Sequence, residues 1–300
     1  MQEFLLINIL NMLDKISAVV GRYYNRGLGL IKRPNILNVD ETIRLLQQGY
    51  SISRFGDGEF YLAGGTDIAF QPATPELQKE LKAILRGGEP RLLVGIPSTL
   101  VSLAGLREKP AGYWRTYYLE SRRRIYGFLN FRHQYADSLV TRLYIDYTDK
   151  GPARRRFEEI KKIWQGRSLM IVEGENSRLG IGNDFFDGAV TVKRIIGPAK
   201  NAFEKRNEIG GEVKRHAQKT DIVILALGPA ATVLASDLHQ LGYQALDLGH
   251  IDIEYEWMLM GAQEKVPVKH KNMWEVKNGE LKDDNFADEA YFKSIVAKIL

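Results

Sequence analysis

Ile222-Val223-Ile224-Leu225-Ala226-Leu227, followed directly by Gly228-Pro229-Ala230-Ala231-Thr232, reads as one buried strand turning straight into a helix. The run is apolar at odd and even positions alike, so both of its faces must be covered, as they are in a parallel sheet with helices on either side. Pro229 suits the first turn of the helix because its missing N–H has no partner there in any case. Working outward, the same alternation recurs. Strands are expected at Ser168–Val172, Thr191–Ile196, Asp221–Leu227 and Gln244–Leu248, with helices at 152–165, Asn201–Gln218, Ala230–Leu241 and Glu254–Met260. Towards the amino terminus, a helix capped by Asp40 and closed by Gly49 precedes the strand Tyr50–Phe55. A second helix, Pro75–Arg86, ends at Gly87-Gly88 before the strand Arg91–Ile96. Strands alternating with helices of this length predict an α/β fold: a Rossmann-like, doubly wound, mostly parallel sheet with helices on both faces, whose ligands lie beyond the carboxyl ends of the strands.

Composition narrows the chemistry. The chain has 300 residues, 44% of them hydrophobic and 26% charged, which excludes disorder and leaves one substantial core as the economical reading. Cysteine is absent, so thiol nucleophiles, disulfides and sulfur-ligated metal are excluded, and any metal must sit on oxygen or imidazole. The net charge of +5 is unevenly spread: residues 107–167 hold 15 Lys or Arg against 7 Asp or Glu, and the rest of the chain is slightly acidic. A uniformly basic nucleic-acid binder is therefore not expected. The same stretch is rich in rings, from Tyr113 and Trp114 through Tyr147, and is taken as a basic aromatic helical insertion of about 107–167 within a single domain covering 31–300. Its rings and arginines, Arg122, Arg123 and Arg124 among them, suit an acceptor glycan or an anionic surface. Residues 1–30 are taken as an amphipathic helix and linker. Leu6, Ile9, Leu10, Leu13, Ile16 and Val20 recur at helical spacing, but Asp14 and Lys15 interrupt the run, so it is no membrane span. Docking within the protein is the expected role, with a homodimer and a peripheral membrane contact as the other two.

Chemistry is sought just after each strand. Arg54-Phe55-Gly56-Asp57-Gly58-Glu59 offers two carboxylates for a hard cation and a guanidinium fork for phosphate, although an Asp-Gly-Glu triplet also makes an ordinary turn. Glu173-Gly174-Glu175-Asn176-Ser177-Arg178 leads into Gly180-x-Gly182, where Phe185 stands in place of the third glycine of a dinucleotide fingerprint. No Gly-Lys pair exists to make an ATPase-type phosphate loop. What remains is a polar loop suited to sugar hydroxyls. Gly228-Pro229-Ala230 and Gly197-Pro198, the latter followed by Asn201, present helix starts that suit a diphosphate. Gly249-His250-Ile251-Asp252 places the one histidine at an expected sheet edge, a candidate metal ligand or base beside Asp57 and Glu59. Asp252, Glu254 and Glu256 are the best offers for a general base.

Taken together in this order, these segments resemble the glycosyltransferases of the GT-D type, also known as domain of unknown function 1792, over roughly residues 38–275. The resemblance implies a transferase that moves a hexose, typically glucose, from a UDP-sugar to a glycan or glycoprotein acceptor in bacterial surface glycan synthesis, using Mn2+ or Mg2+. It implies metal ligation by Asp57 and Glu59, here joined by His250. Arg54, Gly56, Asn176, Ser177, Arg178, Asn201, Gly228, Pro229 and Ala230 then hold the nucleotide sugar, and Asp57, Glu59, His250, Asp252 and Glu254 form the catalytic set. A cytoplasmic enzyme, at the inner face of the membrane if it meets lipid at all, is the corresponding location. The rival reading is a non-catalytic glycan- or nucleotide-binding module on the same fold. A nicotinamide- or adenosylmethionine-dependent enzyme is disfavoured by the missing glycine.

Overall fold

The computed structural model describes residues 19–273, 276, 279 and 285–300. The strands are β1 (Asn35–Ile36), β2 (Ser51–Arg54), β3 (Leu92–Ile96), β4 (Gln134–Asp137), β5 (Ser168–Gly174), β6 (Thr191–Gly197), β7 (Ile222–Ala226), β8 (Gln244–Asp247) and β9 (Ile295–Lys298). They form one sheet in the order β1-β4-β3-β2-β8-β7-β5-β6-β9, with each neighbouring pair parallel. The six strands expected from sequence are all present. The helices are α1 (19–31), α2 (Val39–Gln47), α3 (Asp57–Ala63), α4 (Pro75–Leu85), α5 (Glu108–Phe128), α6 (Gly151–Lys161), α7 (Arg206–His216), α8 (Pro229–Gln240), α9 (Ile251–Leu259) and α10 (Glu289–Ser294).

Period-two side-chain alternation divides the core in two. Val223 and Leu225 of β7, with Met170 and Val172 of β5, pack on one face against α3, α4, α5, α7 and α8. Ile222 and Ile224, with Leu169 and Ile171, pack on the other against α2, α6 and α9. This is the doubly wound arrangement that a strand apolar on both faces requires. Local signals differ in detail. Asn38, not Asp40, caps α2 through a reciprocal bond with Glu41, while Asp40 sits in the first turn and pairs with Arg155 and Arg156.

One sequence expectation changes, and another is met. The stretch 107–167 is no insertion: it holds α5, whose Tyr117, Tyr118, Ile125 and Tyr126 enter the core, and β4, which lies between β1 and β3. Its basic, aromatic composition masked a structural segment because Tyr117, Tyr118 and Tyr126 face inward and Arg122 stacks on Tyr118 and Tyr126. The described part of the leading helix, α1, docks on α5. Asn25 is buried, donating to the Leu119 carbonyl at 2.8 Å and accepting from the Arg123 N–H at 2.8 Å. Residues 1–18 lie outside the described residues.

An insertion can be excised, whereas an integral layer cannot. Replacing residues 108–132 with a short Gly-Ser linker should therefore abolish the cooperative thermal transition followed by circular dichroism. A cooperatively folding deletion would restore the insertion reading.

Candidate active site

Along the carboxyl ends of the strands runs a cleft of about 940 Å³. The loops after β2, β8, β7, β5 and β6 wall most of it, and the start of α5 with the turn after β4 closes the far side. This is where an open α/β sheet binds its ligands.

Central to it is the β2–α3 turn. Gly56 is the N-cap of α3, so Asp57 and Glu59 lie in the first turn of a helix and not in an open loop. The Glu59 carboxylate folds back to accept the Gly56 N–H at 2.7 Å, and Asp57 accepts a hydrogen bond from the Tyr113 hydroxyl of α5. Enclosure by the cleft walls pushes the Glu59 carboxyl up to about 7. The Gly56 N–H opposes this, and the charges of Asp247 and Asp57 add to it. Both carboxylates line the cleft. Arg54 lines it too, but its guanidinium is already engaged. Nε donates to the Asp247 carbonyl at 2.5 Å, one terminal nitrogen to the Ser138 carbonyl at 3.1 Å and Thr141 Oγ1 at 2.7 Å, and the other to Asp247 Oδ1 at 3.2 Å and the Gly249 carbonyl at 3.1 Å. Five bonds match the five N–H donors of the group. The expected phosphate fork is thus a clamp on the chain itself.

The β8–α9 turn brings His250 to the cleft with a left-handed backbone, φ 72°, an uncommon conformation for a side chain other than glycine. The acids of α9 do not follow it. Glu254 is fully buried, outside the cleft lining, and accepts the N–H groups of Tyr144 and Ile145 at 2.8 and 3.1 Å; burial raises its carboxyl to about 7. Asp252 lines the cleft but is held by Lys271 Nζ at 2.6 Å, the Gly180 N–H at 3.0 Å and Asn183 Nδ2 at 2.8 Å. Glu256 shares Lys271 and Asn183. Two of the three expected bases, Glu254 and Glu256, therefore serve the fold, and the third is enclosed in an ion pair. Amphipathic periodicity cannot reveal this, because α9 is buried on every side.

On the side of β7, β5 and β6, the cleft is lined by Ser177, Asn201, Gly228 and Pro229, as expected, with Phe70 and Gln71 from the loop after α3. Gly228 is required at the turn. Its φ is 53°, and an added Cβ would stand 3.1 Å from the Phe70 ring. Ala230 is instead fully buried in the core. Arg178 and Asn176 also leave the cleft lining: Arg178 is buried, donates to the His270 carbonyl and to Asn176 Oδ1, and lies 4.0 Å from the Phe286 ring centre. At the opposite end stand Arg107, Lys109, Tyr113, Trp114 and Arg142, while Arg122, Arg123 and Arg124 are absent from the lining. The arginines singled out in the sequence therefore lie outside the cleft, whereas the first turns of the same helix line it.

Among the described residues, no group of three His, Asp or Glu stands close enough to hold a metal ion. Asp57, Glu59 and His250 therefore do not form the three-ligand protein cage expected from sequence.

Two outcomes follow from this geometry. Arg54→Met should lower stability by about 3–5 kcal/mol, since it leaves buried Asp247 unpaired; urea unfolding measures it, and an unchanged midpoint would remove the clamp. Glu254→Gln, whose amide oxygen can still accept the Tyr144 and Ile145 N–H groups, should keep a cooperative thermal transition like the parent's. It should also flatten stability against pH. A carboxyl raised to about 7 in the folded state favours folding while protonated, so the parent loses stability as pH climbs from the ordinary carboxylate range through 7.

The glycosyltransferase GT-D fold family matches residues 52–276. The chain is 38% identical over 267 residues to the probable glycosyl transferase Gly of Streptococcus gordonii, covering 88% of this chain and 39% of that protein. It is likewise 38% identical over 268 residues to glycosyltransferase GlyD of Streptococcus pneumoniae serotype 4, covering 88% of this chain and 32% of that one. The chain thus spans about a third to two fifths of the length of these curated relatives. A solved structure of domain of unknown function 1792, described as having a distinct glycosyltransferase fold, superposes with a TM-score of 0.85 at 34% identity, covering 93% of this chain and all of the other. A second, a glycosyltransferase of the same domain type from Streptococcus sanguinis, gives 0.84 at 37% identity over 89% of this chain and all of its own. The chain belongs to the glycosyltransferases of the GT-D fold.

Proposed function

We propose that this cleft transfers a hexose, glucose in the first instance, from a UDP-sugar to a hydroxyl of a surface glycan or glycoprotein, with Mn2+ or Mg2+. The observation that carries the reading is the pair Asp57 and Glu59 at the middle of the cleft, with a helix start at Gly228 on one side and a ring-lined, basic wall on the other. The sheet order suggests a division of labour. Nucleotide and diphosphate lie over the ends of β7, β5 and β6 against Gly228, Pro229, Ser177 and Asn201, the reacting bond lies over β2 and β8, and the acceptor approaches along Tyr113, Trp114 and Lys109.

A hard divalent cation is commonly held by one or two carboxylates together with substrate phosphates, so two acids without a full protein cage fit the role. The raised Glu59 carboxyl supports this fit: enclosure is its main cause, the charges of Asp247 and Asp57 add to it, and a bound cation would offset both. When bound, the cation would neutralise charge developing on the departing diphosphate. The chain's own residues do the rest. Gly56 orients Glu59, and Tyr113 orients Asp57 while its hydroxyl, raised well above its ordinary value by enclosure and the nearby Asp57 charge, stays protonated as a donor. The start of α8 directs its dipole at the diphosphate, and His250 hydrogen-bonds it from the β8 side.

UDP release from UDP-glucose should require added Mn2+ and fall at least a hundredfold in Asp57→Asn. Manganese affinity, measured by calorimetry with UDP present, should weaken as pH drops below about 7 because protonated Glu59 cannot ligate, and this dependence should vanish in Glu59→Gln. Metal-independent UDP release, unaffected by either substitution, would overturn the assignment. UDP binding without any turnover on a panel of sugar donors and glycan acceptors would favour the binding module instead.

A further inference from the structure

Among the described residues, helix α1 uses one of its sides to dock. Asn25 and Leu28 face α5 and the core, and Gly29 lies so close to Arg122 that an added Cβ would stand 2.7 Å from its guanidinium. At about 3.6 residues per turn, Val19, Val20, Tyr23, Leu30 and Ile31 fall on the side away from Asn25, and Tyr24 flanks them with its ring centre 5.8 Å from the Arg123 guanidinium. These six are 49–87% exposed and account for nearly half of the large apolar side chains that the described residues leave exposed. In the sequence the same spacing runs back through Leu13 and Ile16.

The charge beside this face has one sign. From Val19 to Val39 the chain carries Arg22, Arg26, Lys32 and Arg33 and no Asp or Glu. Arg22 pairs with Glu120 across the α5 contact, and Lys32 sits 3.8 Å from the Phe131 ring centre. Arg26 and Arg33 are exposed. We infer that the outward face of α1 rests on an anionic lipid surface, with its apolar side chains at the headgroup level and Arg26 and Arg33 among the lipid phosphates. Tyrosine suits that boundary because its ring is apolar and its hydroxyl is wet, as Tyr23 and Tyr24 would require. Shallow burial of an amphipathic helix, reinforced by adjacent cations, is a recognised mode of reversible membrane binding. A second copy of the chain is the poorer occupant, since pairing α1 with its own mate would bring Arg26 and Arg33 of both copies together, and residues 19–39 carry no acid to offset them. The inference does not depend on the donor or the metal.

The test is co-sedimentation of the full chain with vesicles of phosphatidylcholine alone and of phosphatidylcholine with phosphatidylglycerol. The chain should pellet with the anionic vesicles and be released by raised salt, because the cationic contribution is screened. Tyr23→Ser combined with Tyr24→Ser and Ile31→Ser should reduce partitioning at least about tenfold, and so should Arg26→Glu with Arg33→Glu, each arginine near an anionic surface being worth about 1 kcal/mol. Both variants should keep the parent's thermal transition and UDP release. Equal binding to neutral vesicles, no binding at all, or full binding by the variants would overturn the inference. So would a dimer, seen by light scattering, that the serine variant dissolves, since α1 would then face its own copy.

Discussion

The two halves of the sheet meet at β2 and β8, and a single registered pair, Ile52 with Leu246, joins them along the backbone. Side chains carry the rest of the junction. Arg54 spans from Asp247 of β8 to Ser138 and Thr141 beyond β4, Thr232 of α8 donates to both Asp247 and the Arg54 carbonyl, and Ser53 donates to the Thr232 carbonyl at 2.7 Å. Where a ladder is short, the strand ends are free to part, and parted strand ends at a change of winding direction make a crevice. The clamp lets the crevice exist without splitting the domain. It also explains why a guanidinium placed beside two carboxylates in sequence does not serve a ligand.

Charge is handled differently on the two sides of that junction. On the α9 side, Asp252 and Glu256 share the buried Lys271 and Asn183, and nearby Glu173 pairs with buried Arg194 at 2.6 Å. Such pairs hold loops in place: Lys271 anchors the segment that brings Asn272 and Met273 to the cleft, and Arg194 also binds the Leu179 carbonyl. On the α3 side, Asp57 and Glu59 are held by a hydroxyl and a backbone N–H, groups that orient a carboxylate without neutralising it. Unlike Asp252 and Glu256, neither is paired with a cation among the described residues. That contrast comes from their partners, not from their spacing.

The legibility of the sequence followed the range of the forces involved. Strands buried on both faces, such as 222–227 and 168–172, advertise themselves through local apolarity, so sheet type and the edge bearing the site could be read directly. Asp57, Glu59, Ser177, Asn201, Gly228 and His250 all reach the cleft for the same reason: each follows a strand end. Partners far away in sequence could not be read. Arg54 and Asp247 are 193 residues apart, and Glu254 lies 110 residues from the Tyr144 N–H it accepts. The short strand β4 was hidden because its Gln-Tyr-Ala-Asp sequence has no apolar run, and its place in the sheet depends on tertiary packing.

Helix α5 connects the features that spacing left separate. Its first turns bring Lys109, Tyr113 and Trp114 to the cleft, and Leu119 and Arg123 hold Asn25 of α1. Ten residues of helix separate Tyr113 from Arg123, about 15 Å at 1.5 Å per residue. A rod of that length, packed through Tyr117, Tyr118 and Ile125 into the core, cannot bend to move one contact independently of the other. The outward face of α1 therefore has a fixed relation to the mouth of the cleft, and whatever covers that face would, under the proposed function, also set the direction from which an acceptor reaches Tyr113. On a lipid surface, acceptors held at the same surface would be presented from a restricted set of angles. Selectivity for such acceptors would then come from geometry and not from additional contacts in the cleft.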